Sequence, residues 1–73
     1  MGKLKVLSGR QVRTILEDNG FVFARQKGSH MILVLSLEET TLTVPVPDHK
    51  ELAIGTLSSI INASGLPRSL FEV

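Results

Sequence analysis

Cysteine is absent from this 73-residue sequence, which removes disulfides and thiolate metal ligands from any account of its stability or chemistry. A chain of this length lies near the lower limit for an independent core, because a domain of about 60 residues buries only about 60% of its unfolded surface. The hydrophobic fraction of 42% therefore has to hold it together unaided. Such a composition suits a reducing compartment, and a cytoplasmic location is expected. Long apolar runs are missing too. The longest, Met31 to Leu35, spans five residues, against about 20 for a membrane helix and about 7 or more for the apolar part of a signal peptide. Neither a secreted nor a membrane-spanning protein is expected. Gly2 would suit N-myristoylation, but that signal asks for Ser or Thr at the sixth position, where Val6 stands. Internal repeats, low-complexity stretches and interdomain linkers are also absent, so a single domain over residues 1–73 is expected, with its core between about Ser8 and Phe71.

Net charge is small, at +1, but it is unevenly distributed. Over residues 1–30, Lys3, Lys5, Arg10, Arg13, Arg25 and Lys27 oppose Glu17 and Asp18, a net of +4. Over residues 31–73, Lys50 and Arg68 oppose Glu38, Glu39, Asp48, Glu51 and Glu72, a net of −3. That asymmetry permits a basic face for a polyanion on a nearly neutral molecule.

A first helix is expected from Gly9 to Asn19. Ser8 can act as N-cap, Gln11 completes a capping box and Leu7 with Val12 forms a hydrophobic staple. Val12, Ile15 and Leu16 supply an apolar stripe, and Asn19-Gly20 ends it. Phe21 to Gln26, Ser29 to Leu37 and Thr41 to Val46 then read as three strands, rich in β-branched, aromatic and aliphatic residues. The connections Lys27-Gly28 and Glu38-Glu39-Thr40 are short enough for hairpins, which predicts an antiparallel meander. Pro45 cannot donate to a ladder and places the third strand at an edge. Leu42, Val44 and Val46 alternate with Thr41 and Thr43, so one face of that strand packs. The second strand is apolar at both parities, and periodicity alone does not say which side faces the helices. Gly55-Thr56 open a second helix with a Leu57, Ile60, Ile61 stripe. Gly65 closes it, and Pro67 begins a turn in which Leu70 and Phe71 cover the edge of the core. The expected class is α+β, a single α-β-β-β-α domain with both helices on one face of a three-stranded antiparallel sheet. This plan resembles the double-stranded-RNA-binding domain.

Five landmarks fall in one order: Ser8-Gly9 before the first helix, Asn19-Gly20-Phe21 at its end, Lys27-Gly28-Ser29-His30 at the first hairpin, Val44-Pro45 in the third strand and Gly55-Thr56-Leu57 opening the second helix. Together with the closing Gly65-Leu66-Pro67, they make the chain similar to the HicA (YcfA-like) toxin family from about Ser8 to Phe71. The resemblance implies an endoribonuclease of a toxin-antitoxin system acting on mRNA, with a HicB antitoxin that covers the active site. Met31 stands where many members carry a second histidine, which leaves His30 as the only histidine of the motif. Ser58 stands where relatives often have a basic residue.

His30 is the candidate catalytic residue. Imidazole titrates near neutral pH and can take a proton from a ribose 2′-OH or give one to a leaving oxygen. A histidine at a strand start can also serve only a local hydrogen bond. Gly28 suits a tight hairpin, where positive φ or a close approach favours glycine, and with Ser29 it would let a phosphate approach backbone N–H groups beside His30. Lys27 and Arg25 share strand parity and would stabilise charge on a transferring phosphate, although basic residues also guard sheet edges. Arg10 and Arg13 lie early in the first helix, where the macrodipole does not favour cations, so phosphate contact is one use for them and solvated surface another. His49 reads as a loop histidine. Its spacing of 19 residues from His30 matches no compact ligand motif, and neither a metal nor a cofactor is expected. Two readings from other classes remain: a non-catalytic RNA-binding module and a protein-interaction module that uses one apolar side of the second strand.

Overall fold

The computed structural model describes residues 2–72. The helix α1 spans Gly9–Asp18 and begins at the expected cap: the Ser8 hydroxyl accepts from the Gln11 backbone N–H, and the Gln11 side chain accepts from the Ser8 N–H. Leu7 and Val12, the two halves of the staple, are both buried. Three strands follow, β1 (Val22–Lys27), β2 (His30–Ser36) and β3 (Thr41–Pro47), then the helix α2 (Ile54–Ser64) and a short 3-10 turn over Arg68–Phe71. The sheet order is β1-β2-β3, with both pairings antiparallel. The expected α-β-β-β-α order and α+β class are thus present. The outer residues of the domain, Met1 and Val73, lie outside the described residues.

Both helices cover one face. Val12 and Leu16 of α1 and Leu57, Ile60 and Ile61 of α2 share a cluster with Met31 and Leu33 of β2 and Val44 and Val46 of β3. The register resolves the ambiguity of the second strand. Met31 lies opposite Val46 and Leu33 opposite Val44, so the odd-numbered residues of β2 face the helices. The even-numbered set, His30, Ile32 and Val34, faces the uncovered side, where Pro47, Pro45 and Thr43 are their partners on β3. Burying an apolar side chain such as Leu33 or Val44 is worth about 1.5–3 kcal/mol, which makes a one-residue slip of β2 costly and holds His30 on the open face.

Several boundaries differ from expectation by a residue. The first hairpin loop is Gly28-Ser29 and not Lys27-Gly28, because Lys27 and His30 still pair. Asn19 caps α1 from outside, and α2 begins one residue early, at Ile54, after an Ala53 cap with no side-chain hydrogen bond. Phe71 is fully buried, as expected of the closing turn, whereas Leu70 is 37% exposed. Phe71 also ties the N-terminal segment down, its carbonyl accepting from Lys5 N–H at 2.8 Å. Among the described residues no helix is long and apolar enough to cross a membrane.

Gly9 has a role that its helical position does not announce. A Cβ there would collide with the carbonyl oxygen of Pro47, and the Gly9 N–H donates to the His49 carbonyl at 2.8 Å. The first turn of α1 thereby sits directly on the chain leaving β3. The same chain is tied to the first hairpin, because Asp48 N–H donates to the Ser29 carbonyl at 2.7 Å. Helix start, hairpin and strand exit form one end of the molecule.

Candidate functional site

The hairpin at that end is a two-residue loop. Gly28 has φ +59° and, among the described residues, none other than glycine has positive φ, so only the first central position of the turn has positive φ, the pattern of a type II′ turn. A Cβ at Gly28 would meet nothing within 4 Å. Its requirement is therefore the backbone angle and not a close approach. The Gln26 side chain steadies the turn by donating to the Gly28 carbonyl at 3.0 Å.

Lys27 and His30 are direct cross-strand partners flanking this turn, and both are exposed. Side chains so paired have Cβ atoms about 4.5–5.5 Å apart. Arg25 pairs with Ile32 and shares their face. It does so through an irregularity that sequence parity does not reveal. Phe23 lies opposite Leu33 but Arg25 lies opposite Ile32, so Ala24 is an extra residue with no partner, a β-bulge. Before the bulge the odd-numbered residue of β1, Phe23, packs on the core; after it the odd-numbered residues, Arg25 and Lys27, face outward. The bulge thus lets a core-packing aromatic and two site cations share one parity. Ile32 is buried on this open face, flanked by its cross-strand partners Arg25 and Pro45.

The two arginines of α1 lie elsewhere. Arg13 is half-buried on the helix-covered side: its guanidinium sits 4.1 Å from the centroid of the Phe23 ring, its Nε lies 3.4 Å from Glu17 Oε2, and it contacts the Met31 sulfur. The sheet therefore separates it from His30. Arg10 is mostly exposed, and its Nε donates to Asp48 Oδ1 at 3.2 Å. With His49 and Lys50 it borders a cavity of about 400 Å³ beside Ser8, at the helix start. His49 is exposed and borders that cavity together with Arg10 and Lys50, and its carbonyl accepts from the Gly9 N–H. Among the described residues no group of three or more His, Asp or Glu is placed to hold a metal ion.

On its other flank His30 lines a groove of about 370 Å³ between β3 and α2. The pyrrolidine rings of Pro45 and Pro47 form the strand wall, Thr56, Ser59 and Ala63 the helix wall, and Val44 and Ile60 the apolar floor. No sequence signal pointed to this groove, because it exists only through the packing of α2 along the edge of β3.

Across the sheet, then, the hairpin end presents a cation on β1, an imidazole on β2 and an apolar groove beyond β3. Such a set can bind an anion, exchange a proton and seat a small uncharged group. A family model described as the HicA toxin of bacterial toxin-antitoxin systems matches residues 9–66, the stretch from the start of α1 to the residue after Gly65 that contains all of these elements. No curated protein matches the chain. The match takes in well over half of the sequence, and the chain belongs to the HicA toxin family of bacterial toxin-antitoxin systems.

Proposed function

We propose that this toxin is an endoribonuclease that cleaves mRNA, with His30 as general acid/base and Lys27 and Arg25 holding the scissile phosphate. The observation that carries this reading is the exposed pairing of His30 with Lys27 across the Gly28-Ser29 turn. RNA carries its own nucleophile. His30 takes the proton of a ribose 2′-OH as that oxygen bonds to the adjacent phosphorus. The bond from phosphorus to the 5′-oxygen breaks, the leaving oxygen takes up a proton, and the imidazolium returns its own to solvent. The products are a 2′,3′-cyclic phosphate and a 5′-hydroxyl, and the step needs no bound metal. Lys27 and Arg25 offset the charge that grows on the phosphate oxygens. The open space around Gly28 lets the strand approach the Gly28-Ser29 backbone. Arg10, linked through Asp48 to the hairpin, meets the RNA further along. Arg13 we assign to packing, because Phe23, Met31 and Glu17 already occupy it.

The toxin-antitoxin family implies an antitoxin partner. In this reading a HicB-like protein covers the open face, where Ile32 and Val34 lie among the cations.

The test is cleavage of RNA by purified protein in EDTA. Loss of a single acid/base slows such a step about 10²- to 10⁴-fold, and His30 is exposed, so His30→Ala should lose that much activity with its fold intact. Equal cleavage by the variant rejects the assignment. Salt-sensitive RNA binding without turnover by the wild type would instead identify a binding module. In cells, induction should arrest growth and His30→Ala should relieve the arrest.

A further inference from the structure

We infer that the groove between β3 and α2 seats the nucleoside on the 5′ side of the scissile phosphate, so that its base packs between Pro45, Pro47 and Ser59. The inference rests on the nuclease reading above and adds where the substrate lies. Its basis is an order of three features along one line. On β1, Lys27 pairs with His30 of β2, and His30 pairs in turn with Pro47 of β3. Neighbouring strands are about 4.8 Å apart, so the backbone of Lys27 lies about 5 Å to one side of that of His30, and the backbone of Pro47, which lines the groove, about 5 Å to the other. In a ribonucleotide the carbon bearing the 2′-OH is bonded on one side to C1′, which carries the base, and on the other to C3′, which carries the phosphate. Base, 2′-OH and phosphate therefore follow the same sequence as groove, His30 and Lys27.

The groove's chemistry selects the base and sugar over the phosphate. None of its lining residues is Lys, Arg, Asp or Glu, and His30 at its edge is the only titratable one. A phosphate there would lose its hydration without gaining a cation, whereas Lys27 and Arg25 offer one on the opposite side. The pyrrolidine rings of Pro45 and Pro47 supply apolar contact for a base, above the buried Val44 and Ile60. The Ser59 hydroxyl donates to the Gly55 carbonyl at 3.0 Å, which leaves its lone pairs as acceptors for an N–H on a base edge, and Thr56 adds a second hydroxyl. At about 370 Å³ the groove lies near the lower end of the about 300–1,000 Å³ typical of small-molecule sites, a size for one nucleoside.

The experiment has two arms. In the first, the cleavage position in an oligoribonucleotide is mapped, and the base 5′ to that phosphate is removed while its ribose and 2′-OH are kept. Wild-type cleavage should fall about tenfold, or about 1.4 kcal/mol. Ala63→Phe, at an exposed position on the groove wall, should fill the groove, slow cleavage of intact RNA by a similar factor and leave the abasic substrate no slower than in the wild type. Equal wild-type rates on intact and abasic RNA, or full activity of Ala63→Phe on intact RNA, overturn the inference. The second arm is an NMR titration with a nucleoside 3′-monophosphate. The amides of Thr56, Ser59 and Ala63 should shift in the wild type but not with inorganic phosphate, and their shifts should vanish in Ala63→Phe. If cleavage depends on His30 but those amides stay still, the groove inference fails and the nuclease reading stands. If His30→Ala cleaves as well as the wild type, the nuclease reading fails, and the titration still decides whether the groove takes a nucleotide.

Discussion

Replacing Gly9 by alanine tests whether one close contact holds the site end of the molecule together. Taken alone, Gly→Ala in a helix gains up to about 1 kcal/mol. Here the added methyl would meet the Pro47 carbonyl, a backbone obstacle that cannot rotate away. Overpacking of this kind costs about 1–3 kcal/mol. Moving α1 away would also strain the hydrogen bond from Gly9 N–H to the His49 carbonyl, worth about 0.5–1.5 kcal/mol net. The balance is a loss of about 1–3 kcal/mol. A chain of this size has a total stability of about 4–11 kcal/mol, at about 0.05–0.15 kcal/mol per residue, so the loss is a large share of it. For small domains each kcal/mol moves Tm by about 4–8 °C, so thermal unfolding followed by circular dichroism should show a fall of about 4–24 °C. Gly55→Ala is the internal control. A Cβ at Gly55 meets nothing within 4 Å and the residue lies within α2, so that variant should gain up to about 1 kcal/mol. The reasoning is refuted if Gly9→Ala melts at or above the wild-type temperature. Because Pro47 is the partner of His30 and Asp48 is bonded to Ser29, the Gly9→Ala amide spectrum should also change at Ser29 and His30.

Two further comparisons separate the roles of the cations and the bulge. Lys27→Ala should weaken RNA binding and lower its salt slope by about one while leaving Tm nearly unchanged. Arg13→Ala should do the reverse, since it removes a cation–π contact worth about 0.5–1 kcal/mol and a partly exposed i,i+4 ion pair worth about 0.3–0.5 kcal/mol from the helix-covered side. A matching loss of RNA affinity in both variants would show that the sheet does not divide the two sets. Deleting Ala24 should leave Phe23 opposite Leu33 and Arg25 opposite Ile32 in one regular ladder, because Ala24 is the residue without a partner. Cross-strand nuclear Overhauser contacts would report it, and the appearance of Arg25 on the Met31 face would contradict the bulge assignment.

The fold was legible wherever its cause is local. The Ser8 and Gln11 capping box, the Gly65 stop with its φ of +71° and the turn at Gly28 all depend on a few adjacent residues. The pairing of His30 with Lys27 was not legible, because the expected loop was Lys27-Gly28 and a loop shifted by one residue exchanges every cross-strand partner. The open and covered sides of β2 were not legible, because both parities are apolar and only the fit of Met31 and Leu33 against the two helices decides between them. Gly9 looked like an ordinary first helical residue, since its neighbour Pro47 is distant in sequence. The groove beside His30 was invisible for the same reason: its walls come from Pro45 and Pro47 on one element and Thr56, Ser59 and Ala63 on another.

The sorting of cations shows how far a charge count carries. Lys27, Arg25, Arg10 and Arg13 all belong to the basic first part of the chain, and composition treats them alike. The sheet does not. A single unpaired residue, Ala24, turns Arg25 and Lys27 toward His30 even though Phe23, of the same parity, packs on the core. Helix α1, held by its Val12 and Leu16 face, carries Arg13 over Phe23 on the opposite side. Lys27, the cross-strand partner of His30, and Arg25 on the same face put their charges on the open side of the sheet, whereas Arg13 lies on the opposite side and is paired with Glu17. In the proposed nuclease reading, function on this small scaffold thus depends less on how many basic residues it carries than on which face the strand register assigns them to.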